Sequence, residues 1–254
     1  MSGNHFFSDT ITMSSRVMKH SLRSIDTIIT TILMPIMLML AFVYIFGSAM
    51  TMDKVDYVNF IVPGVLLMCI GMGISYTAVR VNTDMTRGIF DRFHSMPIAK
   101  SSILGGHVIS TLLLNLFSVA AVILISFIMG FRPHADFVEW LLAVGMILLT
   151  VFSFTWIAVA CGLMSKSYEG ASVFSYLLMG LMFVSSAFVP TKNMGSKLRA
   201  FAENQPMTPI AESVRSLLAG QPDYGAIVTA LYWLVGIGIL FYVISMKVYK
   251  KRMK

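Results

Sequence analysis

Charge is what this sequence has least of. Only 12% of its 254 residues are Asp, Glu, Lys or Arg, where a soluble domain usually carries about 25%. The mean hydropathy is +0.79. Chemistry-bearing motifs are missing as well. No GxxxxGK[ST] is present, so no loop of this chain cradles nucleotide phosphates. There is no HExxH, no GxSxG, no carboxylate pair within an apolar run, and no cluster of His, Cys and Asp at ligand spacing. This excludes the common hydrolase and metal-site classes, and no cofactor is expected on the chain itself. The two cysteines, Cys69 and Cys161, have no CxxC spacing and read as small buried hydrophobes. No acid or base lies deep in an apolar run, which argues against ion-coupled transport and against an intramembrane enzyme. No Gly/Ser linker, repeat or low-complexity tract divides the sequence, so 1–254 is expected to be one domain.

What the chain does have is long uncharged windows, at 27–52, 57–79, 101–131, 140–165, 170–191 and 224–246. The shortest holds 22 residues, and a spanning helix needs roughly 20. The runs are continuous rather than alternating, so a β-barrel is excluded. The expected fold is an all-α integral membrane protein with six transmembrane helices, at about 27–48, 57–79, 103–130, 138–164, 170–190 and 225–246. Six spans place both termini on one side. That side, with the loops after spans two and four, holds 13 bases against 5 acids, and the other holds 6 against 7. The positive-inside rule assigns the basic side to the cytoplasm. The net charge of +7 is thus a topology signal, with binding of anionic lipid, mainly by the tail KVYKKRMK, a secondary use; no nucleic-acid partner is expected. The first apolar window is too long for a cleavable signal peptide and is expected to remain as an anchor.

Before the first span, Phe7, Ile11, Met18 and Leu22 recur at helical spacing, with Arg16, Lys19 and Arg23 off that stripe. This predicts an amphipathic elbow helix over about 5–23, apolar face in lipid. Pro35 and Pro63 predict kinks in spans one and two. In span three, Gly105 and Gly106 favour close helix approach, the Asn115 amide suits a bond across helices, and His107 reads as a snorkelling interfacial residue rather than a proton relay. Ala158 with Gly162, and Ala226 with Ala230, form small-xxx-small pairs. Between spans five and six, the segment at about 195–220 is expected to form short outer helices. Thr208 suits a cap, Pro209 the first helical position and Gly220 the stop, while Ile210, Val214, Leu217 and Leu218 share a face from which Glu212 and Arg215 are excluded.

The loop after span two is not featureless. Asn82 or Thr83 suits a helix cap, with Asp84 in the first turn. Met85, Ile89, Phe90, Phe93 and Met96 then follow at steps of mostly three or four residues, and Pro97 ends the helix. A short amphipathic helix over about 84–96 is expected, with phenylalanines that need burial in headgroups, in the chain's own span ends, or in a partner's groove.

Five segments, LMPIMLMLAFVYIFG (33–47), YVNFIVPGVL (57–66), GIFDRFHSMPIAKSSILGG (88–106), SSAFVPTKNM (185–194) and PMTPIAESVRSLLAGQP (206–222), occur in the order seen in a known family. In them the chain resembles the permease subunits of type-2 ABC (ATP-binding cassette) exporters, most like the daunorubicin-resistance branch. The resemblance covers nearly the whole chain. It implies two permease subunits, identical or homologous, on two cytoplasmic ATPase subunits that carry ATP and Mg, in a bacterial inner membrane. It also implies that 84–96 is a coupling helix. The expected contacts are Ile89, Phe90 and Phe93 as apolar anchors, Arg87 and Arg92 at the rim, and Asp84 and Pro97 bounding the helix. Lys166, Tyr168 and Glu169 are expected as a second contact. The function implied is outward movement of an amphipathic or hydrophobic compound of drug or antibiotic type. Two alternatives stand beside it: export of a lipid-linked polysaccharide, for which Phe152, Phe154, Trp156, Tyr176 and Phe183 offer aromatics, and an ATPase-independent channel. No substrate-binding residue is singled out.

Overall fold

The computed structural model describes residues 6–46, 54–90 and 100–252, and the described residues form helices and no strands. Helix α1 is Phe6–Arg23. Helix α2 follows over Ile25–Ile45, with π-wound turns at Ile29–Leu33 and Phe42–Phe46 around regular turns at Met34–Ala41. Then come α3 (Lys54–Thr86), α4 (Lys100–Met129), α5 (Phe137–Met164) and α6 (Tyr168–Phe183). After a 3-10 turn at Thr191–Asn193 lie α7 (Ser196–Glu203), α8 (Met207–Leu218) and α9 (Tyr224–Arg252). Among the described residues five helices, α2, α3, α4, α5 and α9, are long and apolar enough to cross a membrane. The chain is a multi-pass membrane protein.

Helix α3 is the hub. It packs against α2, α4, α5, α6 and α8, and its residues from Ile61 to Ile70 are all buried. Small side chains set the spacing. A Cβ on Gly162 of α5 would lie 2.5 Å from Ala78 O of α3, so the Ala158/Gly162 pair serves packing within the chain. The mid-span contacts of α3 with α4 are polar, with Thr77 and Thr111 hydroxyls 2.7 Å apart. The Asn115 amide donates to Thr111 O of its own helix at 2.9 Å and not across helices, because Gly73 of α3 lies too close: a Cβ there would sit 2.5 Å from Asn115 Oδ1. In α2, Pro35 has no N–H for the carbonyl one turn back; Cys69 Sγ of α3 lies 3.3 Å from that carbonyl, Thr31 O. Helix α5 begins sharply on a capping box in which Asp136 and Glu139 each accept the other's backbone N–H, at 2.7 and 2.8 Å. Helix α9 packs chiefly on α5, with Tyr242 edge-on to Trp156 at 4.8 Å. Much of the remaining surface is apolar: Phe117, Ile128 and Tyr232 are exposed, as suits a belt facing lipid tails.

The fifth expected span, 170–190, takes a different form. Helix α6 has 16 residues and ends at Phe183, about 24 Å of helix against the roughly 30 Å of a hydrocarbon core. The chain then runs irregularly, yet Ser185, Ser186, Ala187 and Phe188 are buried. Irregular backbone in an apolar setting must find its hydrogen bonds inside the protein. Here α8 and Gln205, two residues before it, provide them. Gln205 Nε2 donates to Leu181 O at 2.7 Å and Val184 O at 2.9 Å. Ser186 N–H donates to Thr208 Oγ1 at 3.2 Å. Arg215 Nη2 donates to Ser186 O at 2.8 Å and Ala187 O at 3.3 Å, while its Nε donates to Phe60 O of α3 at 3.1 Å. The guanidinium lies over the Phe60 ring, 4.1 Å from the centroid, and Glu212 Oε1 accepts from Nη1 at 2.6 Å. On α3, a Cβ on Gly64 would stand 2.3 Å from Ala187 O, so only glycine admits the irregular segment there.

Two details of the outer segment follow from this. Thr208 does not cap α8, which starts at Met207 after Pro206, because its hydroxyl is engaged by Ser186. Arg215, expected on the polar side, is drawn inward by three backbone carbonyls. Gly220, with φ +71°, does end the helix. Leu218 O then accepts His134 N–H at 3.1 Å, tying α8 to the α4–α5 loop. On the short α7, the Arg199 hydrogen bond to Glu203 holds that carboxyl below its ordinary range.

Arg215→Met is expected to lower the thermal midpoint of the purified protein by several degrees, since each buried carbonyl left unpaired costs about 1–3 kcal/mol. Arg215→Lys is expected to recover only part of the loss, because an ammonium lacks the planar fork that reaches Phe60 O and the 186–187 carbonyls together. Thermal unfolding in detergent measures both.

Candidate functional site

At the end of the bundle where α1 packs, a single carboxylate organises the side chains. Asp84 is 3% exposed; Arg16 Nη2 of α1 lies 3.0 Å from it, Arg80 Nε of α3 3.5 Å and His107 Nε2 of α4 3.5 Å. Three elements thus converge on one anion. Helix α1 reaches it because its protein-facing side is small and hydroxylic: Thr10, Ser14 and Ser21 are buried together with Val17, while Ile11 is turned outward. That side beds on Gly105 and Gly106, where a Cβ on Gly106 would stand 2.6 Å from Met13 Cβ, and Ser110 Oγ donates to Ser14 O at 2.9 Å.

This arrangement corrects three expectations. Asp84 does not open a separate helix after a cap at Asn82 or Thr83; α3 runs on through Thr86, because those side chains are engaged elsewhere. Asn82 Nδ2 donates to Gly162 O and Ser165 O, at 3.2 and 2.8 Å, and Thr83 Oγ1 to Val79 O at 2.9 Å. The break comes at Arg87–Gly88, with Gly88 at φ +66°. His107 is not a snorkelling residue. It is 2% exposed, paired with Asp84 and stacked on Phe90 with ring centroids 6.2 Å apart. Phe90 does not face a partner's groove: it is buried between His107 and Tyr249 of α9, since the Gly88 turn folds it back onto the chain's own span ends. Arg87 is exposed and Ile89 half-buried; Arg92, Phe93 and Pro97 lie outside the described residues.

Lys166, Tyr168 and Glu169 are exposed beside this platform. Asn82 holds their loop against the end of α3, so the two segments expected to meet a partner are fixed to each other by one amide. Ser167 caps α6 by accepting Gly170 N–H at 3.2 Å. The Glu169 backbone N–H and the Ser167 hydroxyl hold the Glu169 carboxyl below its ordinary range, and it stands on the rim beside the exposed Lys166. The tail joins it through Arg252 Nη2, which donates to Met164 O at 3.2 Å.

Next to the platform is a cleft of about 390 Å³ between α2, α3 and α6. Four methionines, Met68, Met72, Met179 and Met182, form its apolar walls. Hydroxyls stud it, from Thr30 and Ser75 to Ser172 and Ser175, and Tyr168 and Asp26 stand in its lining. Thioethers adapt to irregular apolar shapes, and scattered hydroxyls orient a polar group without imposing a charge. The cleft therefore suits a molecule with a large apolar body and a few polar atoms. None of these residues except Tyr168 was expected at a site. They come from three distant stretches, and serine or methionine on a span is by itself ordinary packing. Among the described residues no group of His, Cys, Asp and Glu could hold a metal ion.

Asp84→Asn is expected to destabilise the protein by about 3 kcal/mol, because it removes the charge of a buried carboxylate from beside the largely buried Arg80 and the part-exposed Arg16. Adding Arg16→Gln and Arg80→Gln is expected to recover part of the loss. A thermal-melt cycle over these variants measures the coupling.

Comparison with known proteins agrees with this architecture. Residues 8–219 match the family model described as ABC-2 type transporter. The chain is 28% identical over 226 residues to the daunorubicin resistance ABC transporter permease protein DrrB1 of Streptomyces coeruleorubidus, covering 89% of this chain and 80% of that protein. With most of its length inside that family model, and its helices long enough to span a bilayer, the chain is a membrane transporter subunit belonging to the ABC-2 type transporter family.

Proposed function

We propose that this chain is the permease of an ATP-driven exporter and that the cleft between α2, α3 and α6 is part of the path of an amphipathic or hydrophobic compound. The observation that carries the reading is the lining of that cleft: methionine walls with dispersed hydroxyls and no basic side chain. Membership of the ABC-2 family and likeness to a daunorubicin resistance permease support a substrate of drug or antibiotic type. The polysaccharide alternative receives less support, because Phe152 and Trp156 pair edge-on with each other near α9, and Tyr176 and Phe183 are not among the residues lining the cleft.

The energy comes from a separate cytoplasmic ATPase carrying ATP and Mg, with two permease subunits on two ATPases. Its seat is the loop that starts at Arg87, together with Lys166, Tyr168 and Glu169. Ile89, Phe93, Arg92 and Pro97 remain the contacts we assign to it. Asp84 and Phe90 act differently, by anchoring the base of the loop to α1, α4 and α9. A push on the loop thus reaches α3 and α4 through Asp84, and the mouth of α6 through Asn82. Because α3 and α6 are two walls of the cleft, one movement at the ATPase reshapes it.

The test is reconstitution with a P-loop ABC ATPase that co-purifies with this chain. ATP hydrolysis is expected to rise with an amphipathic drug, and transport to stop without ATP. Ser175→Trp, which fills the cleft, is expected to cut drug transport by about tenfold or more, the loss that a near-complete steric block produces, while ATPase co-purification is unchanged. Arg87→Glu with Lys166→Glu is expected to do the reverse, weakening co-purification. Transport that continues with no ATPase present would overturn the reading in favour of a channel.

A further inference from the structure

A second hollow, of about 380 Å³, lies beside the cleft and shares Ser24 with it. Its other lining residues are all basic: Arg16, Lys19 and Arg23 from α1, and Arg80 from α3. Asp84 is the acid paired with this group, and it is bonded to both Arg16 and Arg80. The lining thus carries four bases, two of which, Lys19 and Arg23, stand exposed outside the Asp84 pairing, while Asp26, two residues beyond Ser24, faces the cleft. The hollow differs from a solvated basic face because it is built from two elements. Arg80 is 12% exposed at its side chain and fixed by a carboxylate that is itself buried. The hollow also sits at the joint where α1 ends and α2 begins.

Below this joint the surface becomes apolar. Ile25 is 73% exposed, and Ile28, Ile29 and Leu33 continue the strip down α2 at exposures of 40–48%. Ile11 on the outer side of α1 is exposed as well. A ligand that satisfies both parts has a compact anion at one end and hydrocarbon at the other. We infer that the hollow lined by Arg16, Lys19, Arg23, Ser24 and Arg80 is a binding site for the phosphate of an anionic phospholipid, whose acyl chains lie along Ile25, Ile29 and Leu33. The guanidinium forks of Arg16 and Arg80 have donors suited to phosphate oxygens. Lys19 and Arg23 supply charge at the exposed rim, and the Ser24 hydroxyl adds a neutral donor. The bound lipid braces the joint between α1 and α2 against α3, the same element that Asp84 ties to α1. This site requires only that the chain sit in a bilayer, and it stands whether or not the cleft carries a drug.

The test uses the purified full-length chain in neutral detergent, titrated separately with phosphatidylglycerol, phosphatidylcholine and inorganic phosphate, with the thermal midpoint as readout. Phosphatidylglycerol is expected to raise the midpoint at concentrations where the other two do not. Lys19→Gln with Arg23→Gln, at exposed positions outside the Asp84 pairing, is expected to leave the lipid-free midpoint unchanged. It should raise the half-saturating phosphatidylglycerol concentration on the order of tenfold or more, as loss of two surface cations implies. Lys19→Glu alone is expected to shift it in the same direction. Equal stabilisation by phosphatidylcholine would overturn the proposal. So would the same effect from inorganic phosphate, which would assign the site to a soluble anion. Unchanged lipid dependence in both elbow variants, or its loss only in a Lys250→Gln, Lys251→Gln, Arg252→Gln tail variant, would overturn it as well.

Discussion

Backbone polar groups have no water to turn to inside a bilayer, and this fold depends on how that constraint is met where α6 stops short. Without Gln205, Thr208 and Arg215, the carbonyls of Leu181, Val184, Ser186 and Ala187 and the amide of Ser186 would lose these partners in an apolar core. With them, a short helix, an irregular turn and the α8 segment form one unit. Arg215 extends that unit to α3 through Phe60 O, and Gly64 of α3 leaves room for it. The position of α8, and with it the closure of one end of the bundle, follows from satisfying these groups.

The opposite end is organised by charge. Asp84 is the common partner of α1, α3 and α4, and Phe90 packs on His107 beside it. A buried carboxylate among several cations is costly to form, and costly to break once formed, so it holds the ends of α1, α3 and α4 together. The loop that begins at Arg87 leaves from this joint and the 165–169 loop is pinned to it by Asn82. The cleft lies along α3, between α2 and α6, with a hollow of four basic residues at its mouth.

Several features were legible in the sequence for local reasons. Uncharged runs longer than 20 residues marked α2, α3, α4, α5 and α9, since a window of that length is what a spanning helix needs, whereas the run at 170–191 holds the shorter α6. Gly105 and Gly106 marked a close helix approach, and Gly220 the end of α8. The apolar face of Ile210, Val214, Leu217 and Leu218 is buried as its spacing implied. The spacing after span two asked for burial of Phe90 but did not say where. Phe90 had three possible surroundings, and only the packing of α4 and α9 selects among them.

The sequence alone thus determined that the chain is helical, apolar and multi-pass, because each of these is a sum over neighbouring residues. The tertiary structure decided where α6 ends, why Arg215 turns inward, that Asp84 is a joint rather than a helix start, and that three helices enclose a cleft. These depend on partners far apart in the chain: Arg215 and Phe60 are 155 residues apart, Asn82 and Ser165 83, and Arg16 and Asp84 68. A carboxylate or a guanidinium carries no mark in the sequence of the group it will meet. That meeting is settled only when the helices pack and water is excluded.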